Sequence, residues 1–142
     1  MSETSSAGGA ARVGLVLVSH SAPVAESVAR MAAALAGGGD TAPLAAAGGT
    51  PDGGFGTDAD AVTEAARRVD QGAGVVLLAD LGSAVLTVRT LLAEGDVLPA
   101  DAQLLDAPFV EGAVAALVTA SGGGTLDAVA AAAREAYDYR KL

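Results

Sequence analysis

The run Val13-Gly14-Leu15-Val16-Leu17-Val18 narrows most sharply what this chain can fold into, because six apolar or glycine residues stand together and Ser19-His20-Ser21 follows at once. An amphipathic helix or a strand with one wet face would interrupt such a run with polar positions. An unbroken run of this length marks a strand buried on both faces, as in a parallel sheet covered by helices on each side. Gly74-Val75-Val76-Leu77-Leu78-Ala79 has the same character and also ends on a polar residue, Asp80. In an open α/β sheet, chemistry gathers just beyond the carboxyl ends of the strands. His20, the only histidine of the chain, and Asp80 therefore stand where a site is expected.

The elements between these strands follow from spacing and punctuation. Ser21-Ala22-Pro23 reads as a helix start, with proline suited to the first turn. Val24, Val28, Met31, Ala32 and Leu35 then recur at helical spacing until Gly37-Gly38-Gly39 stops the helix. A short strand is expected over 43–47, followed by a loop rich in turn formers over 48–58. Thr57 or Asp58 would cap a helix whose apolar face is Ala61, Val62, Ala65, Ala66 and Val69, ended by Gly72. After Asp80, Leu81-Gly82-Ser83 turns the chain into a helix bearing Val85, Leu86, Val88, Leu91 and Leu92. A fourth strand is expected over 103–106, a helix over 113–121, and a last helix from 125 to about 137. Strands alternating with helices in this way imply a three-layer α/β fold, an open, mainly parallel sheet of four to five strands with helices on both faces. Residues 12–142 read as one domain, and 1–11, polar and rich in glycine and serine, as a disordered leader.

Composition excludes several classes of function. The 17 acidic residues outnumber the 8 Lys and Arg, for a net charge of −9, which argues against nucleic acid or an anionic membrane as partner. No apolar stretch approaches the ~18 residues of a transmembrane helix, and the N-terminus lacks the pattern of a secretory signal. Without cysteine there is no disulfide framework and no thiol chemistry, which fits a cytoplasmic protein. One histidine and no cysteine also make a poor set of ligands for a metal centre.

Three strand ends concentrate polar groups: Ser19-His20-Ser21, Asp80-Leu81-Gly82-Ser83 and Asp106. The loop closing at Thr57 opens at the same edge of the sheet. A carboxylate that holds one imidazole nitrogen leaves the other free as nucleophile or base. Helix N-termini after Ser21 and after Gly82 would favour an anion. Such a set suits phosphoryl transfer, which depends on positioning and charge stabilisation. Asp80 and Ser83 have a second reading as helix caps, and the 48–57 loop as a plain connection without the Lys of a Walker loop. A serine hydrolase built on Ser83, His20 and an Asp would lack the Gly-x-Ser-x-Gly elbow.

Taken in order, Ser19-His20-Ser21, Gly56-Thr57-Asp58, Asp80-Leu81-Gly82-Ser83-Ala84 and Ala107-Pro108-Phe109-Val110-Glu111-Gly112 resemble the phosphotransfer subunit of bacterial dihydroxyacetone kinase, a relative of the mannose-type IIA domains of sugar phosphotransferase systems. The similarity runs from about Val13 to about Tyr137. It implies a homodimeric phosphocarrier with no cofactor of its own, in which His20 is phosphorylated by the phosphocarrier protein of the phosphoenolpyruvate system. The group would then pass to ADP held on the nucleotide-binding kinase subunit. Asp80 is implied to orient the His20 ring, and Ser21, Thr57, Gly82 and Ser83 to bind the phosphoryl group. Family members that continue into donor domains are longer, so this chain is expected to use separate donors. Two other classes resemble it less. A tetrapyrrole chelatase would need a second histidine, and a non-catalytic regulatory α/β module would use the crevice only to bind an anion.

Overall fold

A computed structural model describes residues 10–142. Of the expected leader, residues 1–9 lie outside the described residues. The two apolar runs become the central strands, β1 (Gly14–Ser19) and β3 (Val75–Ala79). They pair in parallel, Gly14 opposite Val75 through Val18 opposite Ala79. Strand β2 (Leu44–Gly48) pairs with the other edge of β1, and the three-residue β4 (Ala102–Leu104) with the outer edge of β3. The sheet is four-stranded and wholly parallel, in the order β2-β1-β3-β4.

Alternate residues of the central strands feed separate cores. Leu15, Leu17, Val76 and Leu78 pack on one face against α1 (Ala22–Leu35), α4 (Phe109–Ser121) and α5 (Leu126–Glu135). On the other face, Val16, Val18, Val75 and Leu77 pack against α2 (Ala59–Arg68) and α3 (Gly82–Ala93). A short 3-10 turn, Ala136–Asp138, follows α5 where the sequence suggests a longer helix. Likewise α4 begins at Phe109, four residues ahead of its expected start, because Pro108 is a compatible N-cap and the chain turns helical directly after it.

In two helices the buried stripe only partly coincides with the apolar residues that recur in the sequence. In α1 the buried stripe is Ala25, Val28 and Ala32, while Val24, Met31 and Leu35 remain substantially exposed. In α3 it is Ala84, Val88 and Leu91, with Leu86 outside. Alanine in the contact stripe lets a helix backbone lie close to the sheet, so close packing displaces the larger side chains from the interface. Close approach also explains Gly48 at the end of β2. A Cβ there would stand 2.5 Å from the Ser21 carbonyl oxygen and 3.0 Å from the Ala22 Cα, so β2 can run past the start of α1 only without a side chain.

Candidate functional site

The strand order reverses between β1 and β3: the chain winds to one side through β2 and to the other through β4. Connections leaving in opposite directions open a crevice at the carboxyl ends of these neighbours. His20 follows β1 and Asp80 follows β3, so the topology sets the two side by side. The His20 Nδ1 lies 2.9 Å from Asp80 Oδ1.

Asp80 is held from four directions. Its Oδ2 accepts the Ser19 hydroxyl at 2.8 Å and the His20 backbone N–H at 3.1 Å, and its Oδ1 also accepts the Leu81 N–H at 2.7 Å. Partial burial pushes its pKa up, but the hydrogen bonds from Ser19, His20 and Leu81 outweigh this and hold the carboxyl below its ordinary value. An ionised carboxylate can only accept, so the tautomer it selects carries the proton on Nδ1 and presents the Nε2 lone pair outward. The ring keeps 23% of its side-chain surface exposed. Nε2 meets the Ser83 hydroxyl in a close hydrogen bond. Ser83 is the second residue of α3, whose N-cap Leu81 supplies no side-chain acceptor, and the Gly82 and Ser83 N–H groups have no acceptor among the described residues. Free N–H groups at a helix start create a positive field beside Nε2.

The other side of the histidine is closed by the loop between β2 and α2. Gly56 donates its N–H to the His20 carbonyl at 2.9 Å, and Gly49 and Thr57 form an isolated parallel bridge. Asp58, one of the two expected caps, accepts the Ala61 N–H and starts α2. This leaves Thr57 with a buried hydroxyl that has no partner among the described residues. An unpaired buried hydroxyl is costly, and a ligand oxygen would satisfy it.

Of the residues singled out in the sequence, His20 thus bonds both Asp80 and Ser83, Gly82 adjoins Ser83, and Thr57 follows the Gly56 N–H that bonds the His20 carbonyl. Ser21 sits beside the histidine, but its Oγ accepts the Val24 N–H and caps α1, so the α1 terminus is partly satisfied and the α3 terminus is the open one. The cap reading of Asp80 does not describe its bonds, which go to β1 and to its own neighbour. Asp106 does not reach the histidine, and accepts the Tyr137 hydroxyl at 2.9 Å instead. Ser19, named in the sequence only as part of the polar strand end, is fully buried, with its Oγ between Asp80 Oδ2 and the Ser21 N–H. Its signal was a hydroxyl at the end of an otherwise apolar strand.

Residues 14–130 match the EIIA-man family, described as the PTS system fructose IIA component. The chain belongs to that family. Over 120 residues it is 40% identical to the phosphoryl donor subunit DhaM of the PEP-dependent dihydroxyacetone kinase of Pantoea ananatis, covering 82% of this chain and 25% of that protein. A shorter relative, the phosphoryl donor subunit DhaM of the PEP-dependent dihydroxyacetone kinase 2 of Listeria innocua, is 35% identical over 107 residues, covering 75% of this chain and 84% of its own length. This EIIA-man chain therefore spans about a quarter of the Pantoea relative and most of the Listeria one. The crystal structure of a protein of unknown function superposes with a TM-score of 0.74 at 28% identity, covering 87% of this chain and 94% of the other.

Proposed function

We propose that the chain is a phosphohistidine carrier that serves as phosphoryl donor subunit of a phosphoenolpyruvate-dependent dihydroxyacetone kinase. The phosphocarrier protein of the phosphotransferase system supplies the group, and ADP held on the kinase subunit receives it. The observation that carries this reading is the imidazole anchored through Nδ1 to Asp80, its Nε2 facing the free N–H groups at the start of α3. The family match, and relatives named as phosphoryl donor subunits, support this direction of transfer.

In the loading step the Nε2 lone pair attacks phosphorus as the donor's bond to phosphorus breaks, and the new N–P bond leaves the ring cationic. The Nδ1 proton stays between ring and carboxylate, so Asp80 balances that charge. Gly82 N–H, Ser83 N–H, the Ser83 hydroxyl and the Thr57 hydroxyl would hold the phosphoryl oxygens, with the Ser21 hydroxyl at the rim. Before loading, the Ser83 hydroxyl occupies Nε2, and it must turn aside as phosphorus arrives. In the unloading step a terminal oxygen of ADP attacks phosphorus, the N–P bond breaks, and the ring returns to its neutral form as ATP departs. This carrier works in the cytoplasm as a homodimer. No helix among the described residues is long and apolar enough to cross a membrane.

Incubation with phosphoenolpyruvate, enzyme I and the phosphocarrier protein tests the reading. One acid-labile, base-stable phosphate should appear, at His20, and should pass to ADP when the kinase subunit is added. Phosphate on a serine, or none, would refute the carrier. Loading without transfer to ADP would refute the acceptor.

A further inference from the structure

Two features flank His20 that the carrier chemistry leaves open: an exposed phenyl group and a cavity that starts at Asp80 and extends away from it. Phe55 lies 86% exposed at the tip of the 49–57 loop, one residue before the Gly56 N–H that bonds the His20 carbonyl. The loop holds it there with several bonds: Thr50 N–H to the Gly54 carbonyl and Gly53 N–H to the Thr50 carbonyl, both at 3.0 Å, while the Gly54 N–H bonds both Thr50 Oγ1 and Asp52 Oδ1. Gly53 and Gly56 take positive φ (89° and 152°), which lets the loop turn tightly on either side of Phe55. On the other side of the histidine, Leu81 is 64% exposed and forms the lip of a cavity of about 430 Å³ that begins at Asp80 and runs between Val85, Leu105, Phe109 and Tyr137.

An exposed aromatic ring on a hydrogen-bonded loop and a socket of mixed apolar and polar lining are what a protein partner needs for anchorage, because the loop is already ordered and large side chains carry most interface energy. The charge around them limits which partner. Glu26 in α1, Asp52, Asp58 and Asp60 around the start of α2, and Asp106 after β4 lie at this edge of the sheet, with Arg89 on the socket wall as the opposing cation.

We infer that Phe55 and the socket beyond Leu81 form the docking collar for the phosphoryl acceptor, a protein with a basic rim around an apolar centre. The inference rests on the carrier reading. Its occupant is the acceptor rather than the donor because of the sign of the charge step. The phosphoryl group brings about −2 and the ring it cationises about +1, so loading adds a net charge of about −1 to an already acidic edge. A basic partner then binds the loaded form more tightly and leaves once the group has gone, which favours a partner that unloads the carrier.

Loading His20 chemically with phosphoramidate, without any donor protein, separates docking from loading. Phe55→Ala and Val85→Ala, the latter on the socket wall, should load like the unaltered chain. Mixed with the ADP-bound kinase subunit, each should need about tenfold or more of that subunit for half-maximal ATP formation, with the saturated rate kept within about twofold. Leu35→Ser, at the far end of α1, should change neither quantity. The half-saturating concentration should also rise with added salt. Half-saturation unchanged in Phe55→Ala and Val85→Ala, an equal effect of Leu35→Ser, or no response to salt would overturn the collar. Failure of phosphoramidate to label His20 at all would instead overturn the carrier reading beneath it.

Discussion

At the scale of single residues, the site is a division of labour among side chains that differ in what they can donate. Asp80 accepts four hydrogen bonds and donates none, which is why His20 is left with one committed nitrogen and one available. Asp80→Asn replaces one acceptor oxygen by a donor and removes the counter-charge of a phosphorylated ring. Transfer should slow by about ten- to a hundredfold, the range seen when a partner that orients a functional histidine is lost; rapid-quench measurement of phosphoryl transfer reads it. The lowered carboxyl also has a pH signature. Its folded pKa lies below the unfolded one, so its contribution to stability is complete above the ordinary carboxylate range and is lost as pH falls through the folded value. The stability gap between the unaltered chain and Asp80→Asn, from urea midpoints, should therefore close on acidification below about pH 4. Thr57 makes the opposite prediction. Its hydroxyl has no partner, so Thr57→Val should leave the urea midpoint unchanged or slightly raised while slowing phosphoryl transfer about tenfold. Equal loss of stability and transfer would make Thr57 structural.

At the scale of elements, the site depends on strands and helices approaching closely. Gly48→Ala sets a methyl group against the Ser21 carbonyl, so the start of α1 or the end of β2 must shift. A cost of about 1–3 kcal/mol is expected, together with slower transfer because Ser21 adjoins His20. Leu77→Ala, which opens a gap between β3 and the α2–α3 layer, should cost about 2–5 kcal/mol with the site geometry intact. Comparing transfer rates at equal folded fraction distinguishes the two. Element type was legible in the sequence: unbroken apolar runs marked both central strands, and Ser21, Asp58 and Thr125 marked helix starts that their side chains do cap. Helix orientation was not. Val24, Met31 and Leu35 outrank Ala25 and Ala32 in hydropathy, yet alanine takes the contact because the separation between α1 and the sheet leaves room for little more.

At the scale of the whole molecule, a parallel sheet converts order along the chain into convergence in space. His20 and Asp80, sixty residues apart, meet because both follow strands that pair in parallel. The strand-end rule made that meeting legible before any coordinates. What it could not convey was which polar group at each strand end turns inward. Ser19 supports the carboxylate, whereas Asp106 pairs with Tyr137 outside the histidine's reach. Because β1 and β3 are the interior strands of the sheet, with helices over both faces, the backbone around His20 and Asp80 cannot loosen unless the domain as a whole comes apart. Deuterium uptake at the Asp80 amide, bonded to the Val18 carbonyl, should then follow global opening, while the exposed loop that carries Phe55 exchanges far sooner. If His20 carries phosphate as proposed, each docking protein would meet a rigid imidazole, and adaptation to it would fall to the periphery.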